Sequence, residues 1–125
     1  MAGRDAVKGR LTVSVRTAPG DGSYVLALAG ELDHDSAEVL RTALAEGLAS
    51  RPPRVVVDFA ELGFCDSTGL NALLKARLDG GEAAVRLDLA ALRPQVARMF
   101  DITGAGALFR RYASLDEALA DRPQN

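Results

Sequence analysis

Val55-Val56-Val57-Asp58-Phe59, the polar junction Asp66-Ser67-Thr68-Gly69, and then Leu70, Leu73, Leu74 and Leu78 follow one another at the centre of the chain and reveal its fold class. Three consecutive valines followed closely by an aromatic residue are too short a run for a helix and suit a buried central strand. The leucines recur with helical spacing after Leu70, and Gly80-Gly81 closes the run. A strand that hands over to a helix through a polar junction is the repeating unit of an α/β fold.

Working toward the N-terminus, Asp35 with Glu38 resembles a helix-starting capping pair. Leu40, Leu44 and Leu48 then share one helical face ahead of Pro52-Pro53. Residues 24–29 are almost entirely apolar and end at Gly30, as expected of a strand buried on both faces. Pro19-Gly20-Asp21-Gly22 turns that strand back on Leu11, Val13 and Val15, which alternate with Thr12, Ser14 and Arg16.

Toward the C-terminus, Val85, Leu87 and Leu89 alternate with Arg86 and Asp88. Pro94 opens a third helix with Leu92, Val96, Phe100 and Thr103 on its face and Gly104 and Gly106 beyond its end. Residues 107–112 form a last short strand, and Ser114 with Glu117 caps a terminal helix. The predicted order is β-β-α-β-α-β-α-β-α: an α/β fold with a mixed sheet of about five strands, about four helices and right-handed crossovers. Residues 1–10 are expected to be a flexible N-terminus, 11–120 one domain, and 121–125 a frayed C-terminus.

Composition excludes several functions. The chain has 125 residues, 48% of them apolar but only 5% aromatic and none Trp, so Val, Leu and Ala must build the core. Fifteen basic residues, scattered, against seventeen acidic ones give a net charge of −2, which argues against direct nucleic-acid binding. One Cys and one His leave no disulfide and no Cys/His metal framework, and no cofactor is expected. With no signal-peptide core and no membrane-length apolar run, a cytoplasmic protein is expected.

Ligands and partners of open α/β sheets gather where strands hand over to helices. Two such junctions are unusually polar: residues 30–36 and the Asp66-Ser67-Thr68-Gly69 segment. Capping accounts for one such residue at a helix start, whereas three stand together here. Asp35 and Ser36 read chiefly as caps; Asp33 precedes them and should point toward the same edge as Ser67. A serine at a helix start suits phosphorylation because the macrodipole favours an anion by about 0.3–1 kcal/mol. A carboxylate at ~6 Å opposes the new charge by about 1 to 6 kcal/mol at an effective dielectric between 20 and 80. Phosphorylation of a hydroxyl here would therefore act mainly by changing what docks on this edge.

Catalytic readings are weaker. Ser67 lacks the Gly-x-Ser-x-Gly elbow, and His34 would have to be the sole base. Asp33, Asp35 and Asp66 could form an oxygen-rich metal site, but such carboxylates also occur at uncoordinated helix starts. Cys65 reads as a small core residue.

Asp66-Ser67-Thr68-Gly69-Leu70 after a Val-rich strand, Gly30-Glu31-Leu32-Asp33 after an earlier one, and Ile102-Thr103-Gly104 closing a later helix together resemble the STAS domain. More narrowly, they resemble the stand-alone bacterial anti-sigma factor antagonists, from about Leu11 to Ala120. The resemblance implies a partner-switching cycle. The unphosphorylated antagonist binds an anti-sigma factor that is also an ATP-binding serine kinase, and so frees the sigma factor. Phosphorylation ends the binding, and a phosphoserine phosphatase restores it. By position Ser67 is the phospho-acceptor, with Thr68 the alternative; Asp33, Asp66, Ser67, Thr68, Gly69 and Leu70 form the partner-binding set. No catalytic residue, metal or membrane contact is implied. Asn71 and the segment from Asp88 to Leu92 depart from the family pattern and leave the identity of the kinase open. The same resemblance also admits a docking subunit of a lipid-transport or stress-sensing complex.

Overall fold

Alternation of apolar and polar residues pairs the first long strand with the second, and their hairpin starts the sheet. The computed structural model describes residues 5–8 and 11–121, with side chains over 11–121. Strands β2 (Leu11–Thr17) and β3 (Tyr24–Leu32) are antiparallel, and the turn between them is closed by Ala18 N–H donating to the Ser23 carbonyl at 2.8 Å. A four-residue strand, β1 (Asp5–Lys8), pairs antiparallel with the outer edge of β2. It lies inside the segment expected to be a flexible N-terminus. Four residues are too few to show a period, and the free edge of β2 supplies the backbone partners. The frayed-tail expectation for 122–125 lies outside the described residues.

From β3 onward every connection is helical and every pairing parallel: α1 (Ala37–Ala49), β4 (Arg54–Cys65), α2 (Ser67–Ala83), β5 (Arg86–Ala90), α3 (Pro94–Thr103), a 3-10 turn (Ala105–Leu108), β6 (Arg110–Tyr112) and α4 (Leu115–Ala120). The strands lie side by side in chain order, so the expected five form a mixed sheet that β1 extends at one edge.

Side chains of β4 alternate between two layers, as a strand requires. Val55 and Val57 face the main core with Leu40, Leu44 and Leu48 of α1, Leu70 and Leu73 of α2, and Val96 and Phe100 of α3; Val56 faces the other way, toward Ala90 and Ala118 of α4. Phe100 stands edge-on between Phe59 and Phe109, with ring centroids 6.1 Å from each.

Four expectations change. Strand β4 runs to Cys65, well past Phe59, because two bulges opposite β3 hide its alternation. Leu78 is 65% exposed and leaves the helix face to Ala72, Ala76 and Gly80. The Gly80-Gly81 pair does not end α2. A β-carbon on Gly80 would sit 2.6 Å from the Val85 carbonyl oxygen, so this glycine permits close packing, and the left-handed cap falls on Ala84. Residues 107–112 divide between the end of the 3-10 turn and a three-residue strand.

The α4 layer holds a buried ion group. Arg54 is fully buried; its guanidinium donates to Ser23 Oγ (2.9 Å), Asp88 Oδ2 (3.2 Å), Asp21 Oδ2 (3.5 Å) and the Ala118 carbonyl (2.5 Å). Asp88, also fully buried, accepts from Arg86 Nε at 3.1 Å. One side chain thus joins the hairpin turn, β4, β5 and α4. Asp88→Ala should strand the Arg54 charge and cost about 3–5 kcal/mol in urea unfolding. The double change Arg54→Met with Asp88→Leu should cost clearly less than that single one; a double variant that is worse would count against this account.

Candidate functional site

Strand β4 carries two more residues than β3 between their matched positions, Ala27 opposite Asp58 and Leu32 opposite Cys65. The pairing therefore persists to the last residue of both strands. Asp66 N–H then donates to the Leu32 carbonyl at 3.1 Å, so the two polar junctions leave the sheet side by side.

Asp66 caps α2. Its extended backbone turns the chain, and its Oδ1 accepts from Thr68 N–H (2.9 Å) and Gly69 N–H (3.3 Å). Ser67, the first helical residue, is exposed, and Thr68 is half-buried. A β-carbon on Gly69 would lie 2.6 Å from Leu32 Cγ and Cδ2 and 3.0 Å from Cys65 Sγ. Glycine here lets the first turn of α2 sit directly on the end of β3. Gly69 and Leu70 are buried, so of the expected contact set they seat the helix, while Asp33, Asp66, Ser67 and Thr68 reach the surface.

The adjoining loop is built around Asp33 and Ser36. Asp33 Oδ1 accepts from the Ser36 backbone N–H at 3.1 Å and lies 3.1 Å from the Ser36 hydroxyl, which accepts from Asp33 N–H at 3.0 Å. Ser36 is fully buried, and the hydroxyl also lies 3.2 Å from the Glu31 carbonyl oxygen. This corrects the expected Asp35 and Glu38 capping pair: Asp35 and His34 are exposed, and Glu38 pairs with Arg41 at 3.1 Å. Reciprocal bonding across three residues holds the loop before the helix begins, so no side chain caps α1.

Sequence reading missed Phe64, which is 48% exposed beside the Glu31 position of β3. Strand alternation held the signal, since the buried Cys65 forces its neighbour to the opposite face. Burial, reinforced by the Asp66 charge, pushes the Cys65 thiol up to about 12 from its ordinary 9.0, so it stays protonated and unreactive at neutral pH.

Residues 31–36 and 63–70 contain Glu31, Asp33, Asp35 and Asp66 and no Lys or Arg. The Asp66 carboxylate already occupies two of the amides at the start of α2 that would hold an anion. Among the described residues no hydrogen bond joins Ser67 to His34, and no cluster of three His, Cys, Asp or Glu side chains could hold a metal ion. Nor is any described helix long and apolar enough to cross a membrane. The arrangement presents a hydroxyl on an acidic, rigid surface.

A family model described as "Mlab, STAS domain" matches residues 15–110. The anti-sigma-F factor antagonist RsfB of Mycobacterium tuberculosis is 29% identical over 108 residues, 86% of this chain and 88% of its own length. An anti-sigma factor antagonist from Mycobacterium paratuberculosis has a TM-score of 0.76 at 29% identity, covering 86% of this chain and 92% of that one. SpoIIAA in its unphosphorylated form gives 0.72 at 25% identity with the same coverage.

Gly69→Ala should lower stability by about 1–3 kcal/mol, since a methyl group there meets Leu32 with no room to move. Chemical denaturation would show it, and a neutral result would mean that the first turn of α2 can lift. Native Cys65 should react with iodoacetamide at pH 8 at least about tenfold more slowly than in urea. Its raised native pKa implies stability that is full below about pH 9 and is lost as pH rises toward 12, because the unfolded thiol ionises first.

Proposed function

This chain belongs to the STAS domain family, and from that membership we propose that it is a cytoplasmic anti-sigma factor antagonist whose binding is switched by phosphorylation of Ser67. The observation that carries the reading is the position of Ser67. It is exposed at the start of α2, on an edge lined by carboxylates, with the neighbouring amides already engaged by Asp66.

In the unphosphorylated state this surface, with Asp33, Asp66 and Thr68 around Ser67, docks on an anti-sigma factor and so releases the sigma factor. The anti-sigma factor acts as a serine kinase. The γ-phosphoryl group of ATP passes to Ser67 Oγ, the hydroxyl proton departs, and ADP leaves. The product carries roughly −1.5 to −2 charge. Neither junction supplies a Lys or Arg to neutralise it. Burying that group in the interface without a cationic partner costs several kcal/mol, so the complex separates. A phosphoserine phosphatase hydrolyses the ester and restores the docking surface. The chain is thus a kinase substrate and a binding protein rather than an enzyme.

The fold itself should hardly respond. The dipole favours the phosphate by about 0.3–1 kcal/mol, while the nearby carboxylates oppose it by a comparable amount or more.

Incubation with its anti-sigma factor kinase and ATP should add one phosphate at Ser67. Ser67→Ala should abolish labelling while leaving partner affinity within about twofold, and phosphoserine at this position should weaken binding by about a hundredfold or more. Labelling at Thr68 in the native protein would move the switch by one residue. Stable co-purification with membrane transporter subunits, with no labelling by any soluble kinase, would replace this reading with that of a transport-complex docking subunit.

A further inference from the structure

Helix α2 begins at Ser67 and carries the chain to the opposite end of the sheet, where β5 starts. At that end α2, β5 and the 3-10 turn enclose a cleft of about 360 Å³, walled by Leu78, Leu87 and Leu108 and rimmed by Arg77, Arg86 and Arg110. Among the described residues four large hydrophobic side chains are exposed. Three of them stand at this end: Leu78 at 65%, Leu108 at 48%, and Ile102 at 77% near the close of α3. Exposed leucines and isoleucine gathered at one end of a small domain mark an interaction surface.

The charge of this end differs from that of the chain as a whole, which is net −2. Arg77 uses Nε to donate to the Leu108 carbonyl at 2.6 Å, and among the described residues no carboxylate pairs with it. Arg110 lies 3.6 Å from Asp121, both exposed. Arg86 Nη2 sits 3.0 Å from Asp88 Oδ2, yet it is buried and makes no hydrogen bond. The single carboxylate in the cleft wall, Asp88, is also shared with Arg54. Beside the aliphatic side chains, three guanidinium groups therefore meet two carboxylates, Asp88, which Arg54 also holds, and Asp121, which Tyr112 also holds, and Arg77 is left with neither. Guanidinium forks suit carboxylates, and the leucines suit an aliphatic anchor. A small anion would leave Leu78 and Ile102 uncovered.

We propose that this end is a second docking surface, which takes an acidic polypeptide segment carrying leucine-sized anchors from a protein partner. Leu78 lies eleven residues beyond Ser67, about 16 Å along the helix axis. That is roughly twice the Debye length at physiological salt, so the charge state of Ser67 does not govern this surface. The chain can then remain bound to one protein while its Ser67 edge exchanges another.

The test is an NMR titration of the ¹⁵N-labelled full chain with a synthetic peptide of sequence Glu-Leu-Glu-Glu-Leu-Glu, its Lys-for-Glu counterpart and its Ser-for-Leu counterpart. The acidic peptide should shift the amides of Arg77, Leu78 and Leu108 and leave Asp66 to Thr68 unmoved. Binding should weaken with added salt and drop about fivefold or more with Arg77→Glu. Leu78→Ser, which disturbs nothing buried, should weaken it as well and guards against misfolding of the arginine variant. Ser67→Glu should leave it unchanged. Absence of binding, equal binding of the Lys peptide, shifts confined to the Ser67 edge, or indifference to both Arg77→Glu and Leu78→Ser would overturn the proposal.

Discussion

The parallel pairing of β3 with β4, carried through two bulges to the Leu32 and Cys65 positions, is the constraint from which the rest follows. Ending both strands at one level lets Asp66 bond to the Leu32 carbonyl and brings two polar junctions together. Had β4 stopped at Phe59, the start of α2 would stand away from the Asp33 loop. The bulges also twist the strand locally, which is how a site comes to be aimed by a sheet rather than by a flexible loop. Gly69 completes the arrangement by letting the helix rest on Leu32.

The two layers of the sheet do different work. The α1–α3 layer is wholly apolar in character and supplies most of the hydrophobic stabilisation, while the thin α4 layer is organised by Arg54. A buried guanidinium is a poor source of net stability, because desolvation offsets most of the attraction. Its value here is positional: with Asp88, Asp21, Ser23 and the Ala118 carbonyl it fixes the hairpin turn and the terminal helix relative to the central strands. Rigid strands on this side leave the opposite face free to hold α2 in place.

Under the proposed function, a switch on this edge works by charge rather than by refolding. Asp66 spends the helix-start amides on its own carboxylate, so an added phosphate finds little compensation there. On that proposal, the added charge is felt chiefly by the partner docked on the edge. At the far end of α2 arginines and exposed leucines line the cleft, with Asp88 in its wall. The helix separates the two chemistries by a distance over which salt screens them from one another.

Strand and helix identity, their order and the polar junction at Ser67 were legible in the residues, because period and capping chemistry are local. Leu40, Leu44 and Leu48 are buried as their spacing requires, and Ser114 caps α4 through Glu117 N–H as its motif requires. Other features were hidden because they depend on partners distant in sequence. Bulges erased the period of the second half of β4; packing against Val85 turned Gly80 from a stop into a close contact. Asp88 looks like the wet side of a strand until the fold buries it against Arg54, and Asp35 looks like a cap until Asp33 and Ser36 bond to each other. Local pattern alone specifies an α/β chain with a hydroxyl at a helix start. The assembled sheet brings the Asp33 and Ser67 junctions together as their strand ends suggested, but that Gly69 and Leu70 seat the helix beneath them and that Arg54 is buried could be read only from the fold, because each depends on which strands lie side by side.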